Sequence, residues 1–363
     1  MLAVRALLAG LAGLVGALVV ASPASAHNAD VPPASDYRCE VTGISAPLPG
    51  LTVRTVSAGT QLELVNHTGR TIEVLGYSGE PYLRVQPDGV YQNANSPATY
   101  VNQSATGGPT PPASATAYAP PAWQKLSGTP AVVWHDHRAH WMLATKPPAV
   151  AADPGAPHRI SEWSIPLRDG VRQFAVTGTL DWVPPPSPAV WWAGVLLLAG
   201  AVAGLGLLRP VPALRGAAAV AVAAGLAALS YAVAAVVDSG PLTLSGALRV
   251  LVGTQPWPLL CGIAALAAGW YAARAKPAAD LALGLTGACL ALYAGAANAA
   301  VFVHAVPPVA LPGTVARLLV LVSLSAGAGL AAVAVLRMRA AARPATAVPK
   351  QRQNSMRVGT LPS

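Results

Sequence analysis

Apolar and polar residues alternate along much of the first half of the chain. The clearest alternating segments are 51–56, 61–64, 71–74, 131–134, 160–165 and 173–182. A period of two predicts β-strands with one face in water. Turn residues at 66–69, 77–80 and 87–89 separate the strands, and no segment between them has a helical period. The pattern predicts an all-β domain built as an antiparallel sandwich.

A different pattern begins near residue 188, where long apolar runs follow one another. Each run approaches the roughly 20 residues that a membrane-spanning helix needs. The predicted spans are 189–208, 215–237, 257–275, 280–304 and 312–336. The segment 241–253 is an alternative that dips into the bilayer, because Pro256 and Pro258 weaken the third span. The fold class is therefore predicted to be a β domain followed by an α-helical transmembrane bundle.

The amino terminus has the features of a secretory signal. Arg5 precedes an apolar run at 7–20, and Ala24-Ser25-Ala26 forms a cleavage site of the A-x-A type. An uncleaved first transmembrane helix is the alternative. Cleavage makes His27 the first residue of the mature chain. The predicted domains are then a signal peptide at 1–26, an extracytoplasmic β-sandwich at 27–187, a transmembrane domain at 188–337 and a disordered basic tail at 338–363.

Composition supports a membrane protein. Apolar residues make up 53% of the chain, charged residues 10%, and the mean hydropathy is +0.48. A typical soluble domain is about 25% charged, so a purely soluble fold is excluded, and the hydrophobicity also excludes a disordered chain. The spans contain few ionisable groups, which argues against a transporter and for an anchor.

The net charge of +9 is explained by position rather than by a nucleic-acid partner. Basic residues in short loops indicate the cytoplasmic side of a membrane. The residues predicted to lie there are Arg209, Arg215, Arg274, Lys276 and the basic tail, whereas Arg249 and Arg317 fall on the opposite side. The sequence thus predicts a multi-pass protein of the cell membrane, with the β domain outside and the carboxyl terminus in the cytoplasm. The predicted partners are the lipid bilayer and an envelope protein.

Three histidines fall within six residues in Trp134-His135-Asp136-His137-Arg138-Ala139-His140-Trp141. In an extended chain His135 and His137 share a face, whereas in a helix Asp136 and His140 do. Imidazole is a good ligand for copper and zinc. An amino-terminal His27 adds its α-amine and its ring nitrogen.

These residues predict a membrane-anchored metal-binding protein. The metal is copper, with zinc as the alternative, held by His27, Asp136, His137 and His140, and His135 is a substitute ligand. The alternative is a non-catalytic envelope interaction or structural module without a metal, in which Asp136 pairs with Arg138 and the histidines support a loop. No catalytic motif is present, so the chain is predicted not to be an enzyme.

Several motifs resemble an uncharacterised family of bacterial exported and polytopic membrane proteins with a β ectodomain and carboxyl-terminal transmembrane helices. The matching residues are 79–84, 89–90, 93–97, Tyr100 and the D-H-R-x-H segment at 136–140. The resemblance implies the architecture and favours Asp136, His137 and His140 as the site. Within the same stretch, Glu80 and Arg84 are expected to pair with each other or with Arg138 and Asp136.

The order of the domains, together with an amino-terminal His27, is also similar to CopC-type copper proteins. That similarity implies an immunoglobulin-like sandwich and copper handling.

Overall fold

The structure, a computed structural model, describes residues 34–208, 210–240 and 243–342. This part contains a β-sheet domain, residues 37–182, and a helical part that begins at residue 188. The predicted signal peptide, His27 and residues 343–363 lie outside the described residues.

The β domain consists of two antiparallel sheets. In the order in which they pair, the larger sheet contains β1 (Tyr37–Ile44), β10 (Arg172–Trp182), β9 (His158–Asp169), β4 (Ile72–Leu75), β5 (Pro81–Gln86), β6 (Gly89–Asn93) and β7 (Trp123–Ser127). The smaller sheet contains β2 (Leu51–Val56), β3 (Gln61–Asn66) and β8 (Ala131–Trp134). Between the strands, α1 (Ala98–Val101) and α2 (Pro148–Ala152) are single helical turns.

The two sheets share one apolar core. Leu62 and Leu64 of β3 belong to the same buried cluster as Ile72, Ile165 and Leu167 of the larger sheet. The alternation in the sequence explains this arrangement, because every second residue of a strand points to the same face. Burial of each such side chain contributes about 1.5–3 kcal/mol. The predicted all-β antiparallel domain is confirmed.

Five helices are long and apolar enough to cross a membrane. Four of them are formed by α3 (Pro188–Gly204), α4 (Pro210–Asp238), α6 (Pro256–Ala273) and α8 (Gly313–Ala341), and the remaining one, Ala279–Phe302, begins with α7 (Ala279–Cys289). A π-helical segment, Leu290–Gly295, and a 3-10 segment, Ala296–Phe302, continue α7. The predicted helical bundle after the β domain is therefore confirmed. The end of α8 includes residues 338–341, which the sequence assigned to the disordered tail.

A shorter amphipathic helix, α5 (Leu244–Thr254), connects α4 to α6. It overlaps the segment 241–253, for which the sequence left two alternatives, and ends one residue beyond it. Thr243 begins the helix, and its side-chain oxygen accepts a hydrogen bond from the backbone N–H of Gly246 at 3.0 Å. This cap separates α5 from α4, so α5 is an independent element.

Glycines allow close contact between neighbouring spans. A Cβ atom on Gly225 of α4 would lie 2.8 Å from the carbonyl oxygen of Gly262 in α6. A Cβ atom on Gly287 of α7 would lie 2.7 Å from the carbonyl oxygen of Gly327 in α8. Only residues without a side chain permit these backbone approaches, as in other membrane helix pairs.

The β domain is attached to the ends of the helices at two places. Asp36 accepts a hydrogen bond from the backbone N–H of Ala305 at 2.8 Å, and its other carboxylate oxygen lies 3.1 Å from His304 Nδ1. At the second place, the Asp238 carboxylate accepts from the N–H of Ala58 at 2.6 Å, and the Asp238 carbonyl accepts from that of Ser57 at 2.7 Å. Both attachments use side chains at the same end of the bundle.

Arg317, near the start of α8, is buried at this end of the bundle. Its guanidinium group donates to the carbonyl oxygens of Val301, His304 and Ala305, each at 2.8 Å. These carbonyls lie at the end of the 3-10 segment Ala296–Phe302 or just beyond it, where helical backbone acceptors lose their partners. Arg317 therefore belongs to the packed structure and not to an exposed loop.

Candidate functional site

The candidate site is the histidine segment, residues 135–140, which follows β8. Its first residues are extended, and His137–Ala139 then forms one turn of 3-10 helix. Asp136 begins this turn, and its carboxylate accepts a hydrogen bond from the backbone N–H of Arg138 at 3.2 Å. The segment therefore combines the extended and the helical alternatives.

The Asp136 side chain is fully buried, and both of its carboxylate oxygens have partners. Oδ1 accepts from Arg138 Nε at 2.8 Å. Oδ2 accepts from Arg138 Nη2 at 2.7 Å and from Trp134 Nε1 at 3.2 Å. This two-point ion pair holds the carboxylate in one orientation.

Arg138 extends these contacts to the loop after β4. Its Nη2 atom donates to the carbonyl oxygen of Leu75 at 3.0 Å, and Nη1 lies 3.4 Å from that of Gly76. The guanidinium carbon lies 4.9 Å from the centre of the Tyr77 ring, within the range of a cation–π contact. The ion pair therefore fixes a loop 60 residues away in the sequence.

His135 and His137 make contacts with two further loops. His135 Nδ1 donates to the carbonyl oxygen of Thr60 at 2.8 Å, and its Nε2 lies 3.2 Å from the amide nitrogen of Gln61. His137 Nε2 donates to the carbonyl oxygen of Ser104 at 3.0 Å. Each hydrogen bond to a carbonyl fixes the tautomer of its ring.

His140 differs from the other two histidines. Its Nε2 atom is buried and has no hydrogen-bond partner within the described residues. Burial is the largest cause of a lowered pKa at His140, and together with the nearby His135 it brings this pKa to about 4. The ring is therefore neutral at neutral pH, with a nitrogen left available.

Four of the five predicted ligands, His135, Asp136, His137 and His140, are neighbours in the sequence, but the rings of His135 and His137 bond to different loops. Within the described ranges, however, no three His, Cys, Asp or Glu side chains are arranged to hold a metal ion. The hydrogen bonds of Asp136 to Arg138 and Trp134 occupy the carboxylate that a metal would need. The position of the fifth predicted ligand, His27, lies outside the described residues.

The expected pairing of Glu80 with Arg84 is wrong. Glu80 precedes β5, and its carboxylate accepts from Ser78 N–H and Ser96 Oγ, each at 2.9 Å. Arg84 instead donates to Glu73 on the neighbouring strand, at 3.0 and 2.9 Å. The strand register places these two residues opposite each other.

Two other residues near the segment were missed from the sequence. Tyr77 accepts a hydrogen bond from the backbone N–H of His137 at 3.2 Å and donates to Asn102. Gly76 leaves the space in which the Glu80 carboxylate lies, since a Cβ atom there would be 1.9 Å from a Glu80 oxygen. The turn composition of 77–80 indicated a loop but gave no sign of these contacts.

Comparisons with protein-family models, curated proteins and solved structures find no match to this chain.

Proposed function

We propose that this protein is a membrane-anchored, non-catalytic module of the cell envelope, in which the histidine segment has a structural role. The observation that supports this proposal is the full burial of Asp136, with both carboxylate oxygens bonded to Arg138 or Trp134. A carboxylate used in this way stabilises a loop, whereas a metal ligand needs a free lone pair directed at the ion.

The contacts of neighbouring residues support the same role. His135 and His137 bond to the backbone carbonyls of Thr60 and Ser104, which lie in two different loops, and Arg138 bonds to that of Leu75, at the end of β4. Every residue has a backbone carbonyl, so these contacts do not depend on the residue type of the acceptor. The histidine segment therefore connects these three parts of the β domain by hydrogen bonds and holds them in place.

The second part of the proposal is the side of the membrane on which the β domain lies. The β domain contacts α4 at Asp238, and Arg215 lies near the other end of that helix, about 35 Å away at 1.5 Å per residue. Basic residues favour the cytoplasmic side. We propose that the β domain faces out of the cell, where an envelope protein is its partner.

Replacement of Asp136 tests the structural role. Asp136→Asn leaves Arg138 with an uncompensated charge in a largely buried place, so we expect a loss of about 3 kcal/mol in the free energy of unfolding. The measurement is denaturant unfolding of the full chain in detergent. The matched control is Asp88→Asn, because Asp88 is exposed and its contact with Lys125 is 3.9 Å long. Equal stability of the two variants would contradict the proposal.

Copper binding is the second candidate, with zinc as the alternative metal. It is favoured by the neutral, unpartnered Nε2 atom of His140 beside His135. The proposed ligands are His27, His137 and His140, with Asp136 joining if Arg138 moves away and His135 as a substitute that would first have to leave Thr60 and Gln61. Neutral imidazole nitrogens are the form that binds such metals.

A copper(II) titration of the full processed chain, followed by electron paramagnetic resonance, tests this candidate. Support would be a stoichiometric site with nitrogen hyperfine structure that disappears in His137→Ala and His140→Ala. The control is His158→Ala, because that ring bonds to Asp153 elsewhere in the domain. Weak binding without a fixed stoichiometry would overturn copper binding and leave the structural role intact.

A further inference from the structure

A groove separates the β domain from α5, and it does not involve the histidine segment. One wall comes from β7, β8 and the turn between them, and the other from the end of α4 and from α5. The groove has a volume of about 640 Å³. It is open along one side, so a ligand can enter without a change in the fold.

The position of α5 places this groove at the level of the lipid headgroups. The helix connects α4 and α6, two spans that end on the side of the β domain. Its apolar residues Leu244, Leu248 and Val252 are 79%, 53% and 63% exposed, and they lie on one face at a spacing of four. A helix with one exposed apolar face at the end of two spans lies in the membrane interface.

Next to this apolar face, α5 carries a positive charge, Arg249, that lines the groove. Arg249 is exposed, and its Nε atom makes only a long contact of 3.4 Å with the carbonyl oxygen of Ser245. In the part of the chain that the structure describes, no carboxylate lies within ion-pair distance of it. Glu63, whose carboxylate lies against Gly240 of the groove wall, is already paired with Arg54.

The remaining lining suits the polar part of a phospholipid. Hydroxyl side chains come from both walls, at Ser127, Thr129, Ser239, Thr243 and Ser245. Leu126 adds an apolar surface at the same place and is 53% exposed. A guanidinium group with several hydroxyls is a common set of donors for phosphate oxygens.

We propose that this groove binds the headgroup of one anionic phospholipid, with its phosphate at Arg249. The acyl chains remain in the bilayer against the apolar face of α5, so the bound lipid belongs to the leaflet that α5 already contacts. The charge of Arg249 and the continuity with the membrane surface both favour a lipid over a protein segment.

The test uses the full chain in nanodiscs that contain equal amounts of phosphatidylglycerol and phosphatidylcholine. Native mass spectrometry then counts the lipids that the released protein retains. A charge-assisted hydrogen bond contributes about 1.5 kcal/mol, which corresponds to about a tenfold preference. We expect wild-type protein to prefer phosphatidylglycerol by that factor, Arg249→Gln to lose the preference and Arg249→Lys to keep part of it.

The matched control is Arg172→Gln. Arg172 is exposed at the start of β10, and the other end of this strand, Trp182, leads to α3, so Arg172 lies about 35 Å from the membrane side of the domain. This control should keep the preference. Equal retention of both lipids by wild type, an equal loss in Arg172→Gln, or displacement of the lipid by inorganic phosphate would each overturn the proposal. A dimer that dissociates in Arg249→Gln would identify the groove as a subunit interface and would also overturn it.

Discussion

Single side chains determine how the loops of the β domain are held. Asp136 and Arg138 are two residues apart, and they form a buried ion pair because the 3-10 turn between them brings both side chains to one side. A buried pair of this kind contributes little net stability, but the loss of one partner is costly. The position of the segment around this pair therefore depends on both Asp136 and Arg138.

His140 should make the stability of the β domain depend on pH. Its pKa is about 4 in the folded protein and 6.5 when unperturbed. The unfolded chain therefore binds a proton at a higher pH than the folded chain. The stability that the protein gains from keeping His140 neutral is fully present above about pH 6.5. As the pH falls towards 4, this part of the free energy of unfolding decreases by at most about 1.4 kcal/mol per pH unit.

Denaturant unfolding of the full chain between pH 7 and pH 4.5 measures this effect. Carboxylates also titrate at the lower end, so the relevant quantity is the difference between wild type and His140→Asn. We expect the variant to have a shallower slope and the His158→Asn control to follow the wild type. Parallel slopes for all three proteins would show that His140 does not carry the pH dependence.

Contacts between single residues were the hardest feature to predict from the sequence. It found the histidine segment and included the Asp136–Arg138 pair among its alternatives. It missed Thr60, Ser104 and Leu75, because they contribute backbone carbonyls that every residue type has. It also paired Glu80 with Arg84 by their spacing, whereas the partner of Arg84 is set by the register between β4 and β5.

Among the elements, the type of structure was easier to predict than the pairing. The alternation in β2, β3, β9 and β10 is local, and so is the apolar length of the spans. The pairing of β1 with β10 joins Tyr37 to Trp182, and no local pattern records such a distant partner. Strand β7 was not predicted, since its residues are mostly exposed and its sequence has no clear alternation.

The close packing of α7 against α8 leads to a prediction at the scale of the elements. Gly287→Val puts a side chain where the backbone of α8 lies, 2.7 Å from the Gly327 carbonyl oxygen, so we expect a loss of about 1–3 kcal/mol. The control is Gly200→Val in α3, where a Cβ atom meets nothing within 4 Å. Thermal unfolding in detergent should show a lower midpoint for the first variant than for the second. Equal midpoints would show that the close contact between α7 and α8 at Gly287 does not contribute to stability.

In the whole molecule, the two attachments at Asp36 and Asp238 fix the β domain to one end of the bundle. In the proposed topology, the five candidate spans place the β domain and the end of α8 on opposite sides of the membrane. The proposed orientation follows if the basic loops are cytoplasmic.

Fusion of a fluorescent protein to the carboxyl terminus tests this orientation. A fluorescent protein that matures only in the cytoplasm should be bright in such a fusion, whereas alkaline phosphatase, which needs the oxidising exterior, should be inactive at the same position. The matched control places the same two reporters at position 187, just before α3, where the outcomes should be reversed. Active phosphatase at the carboxyl terminus would contradict the proposed orientation.

The contact between Asp36 and His304 spans 268 residues of sequence. At a synthesis rate of about 5–20 residues per second, roughly fifteen to fifty seconds pass between the appearance of these two residues. Between the synthesis of Asp238 and that of His304, all ten strands of the β domain are present, but only one of its two attachments can form. The last loop of the chain therefore completes the assembly, and a chain truncated before residue 304 would carry a β domain held at Asp238 alone.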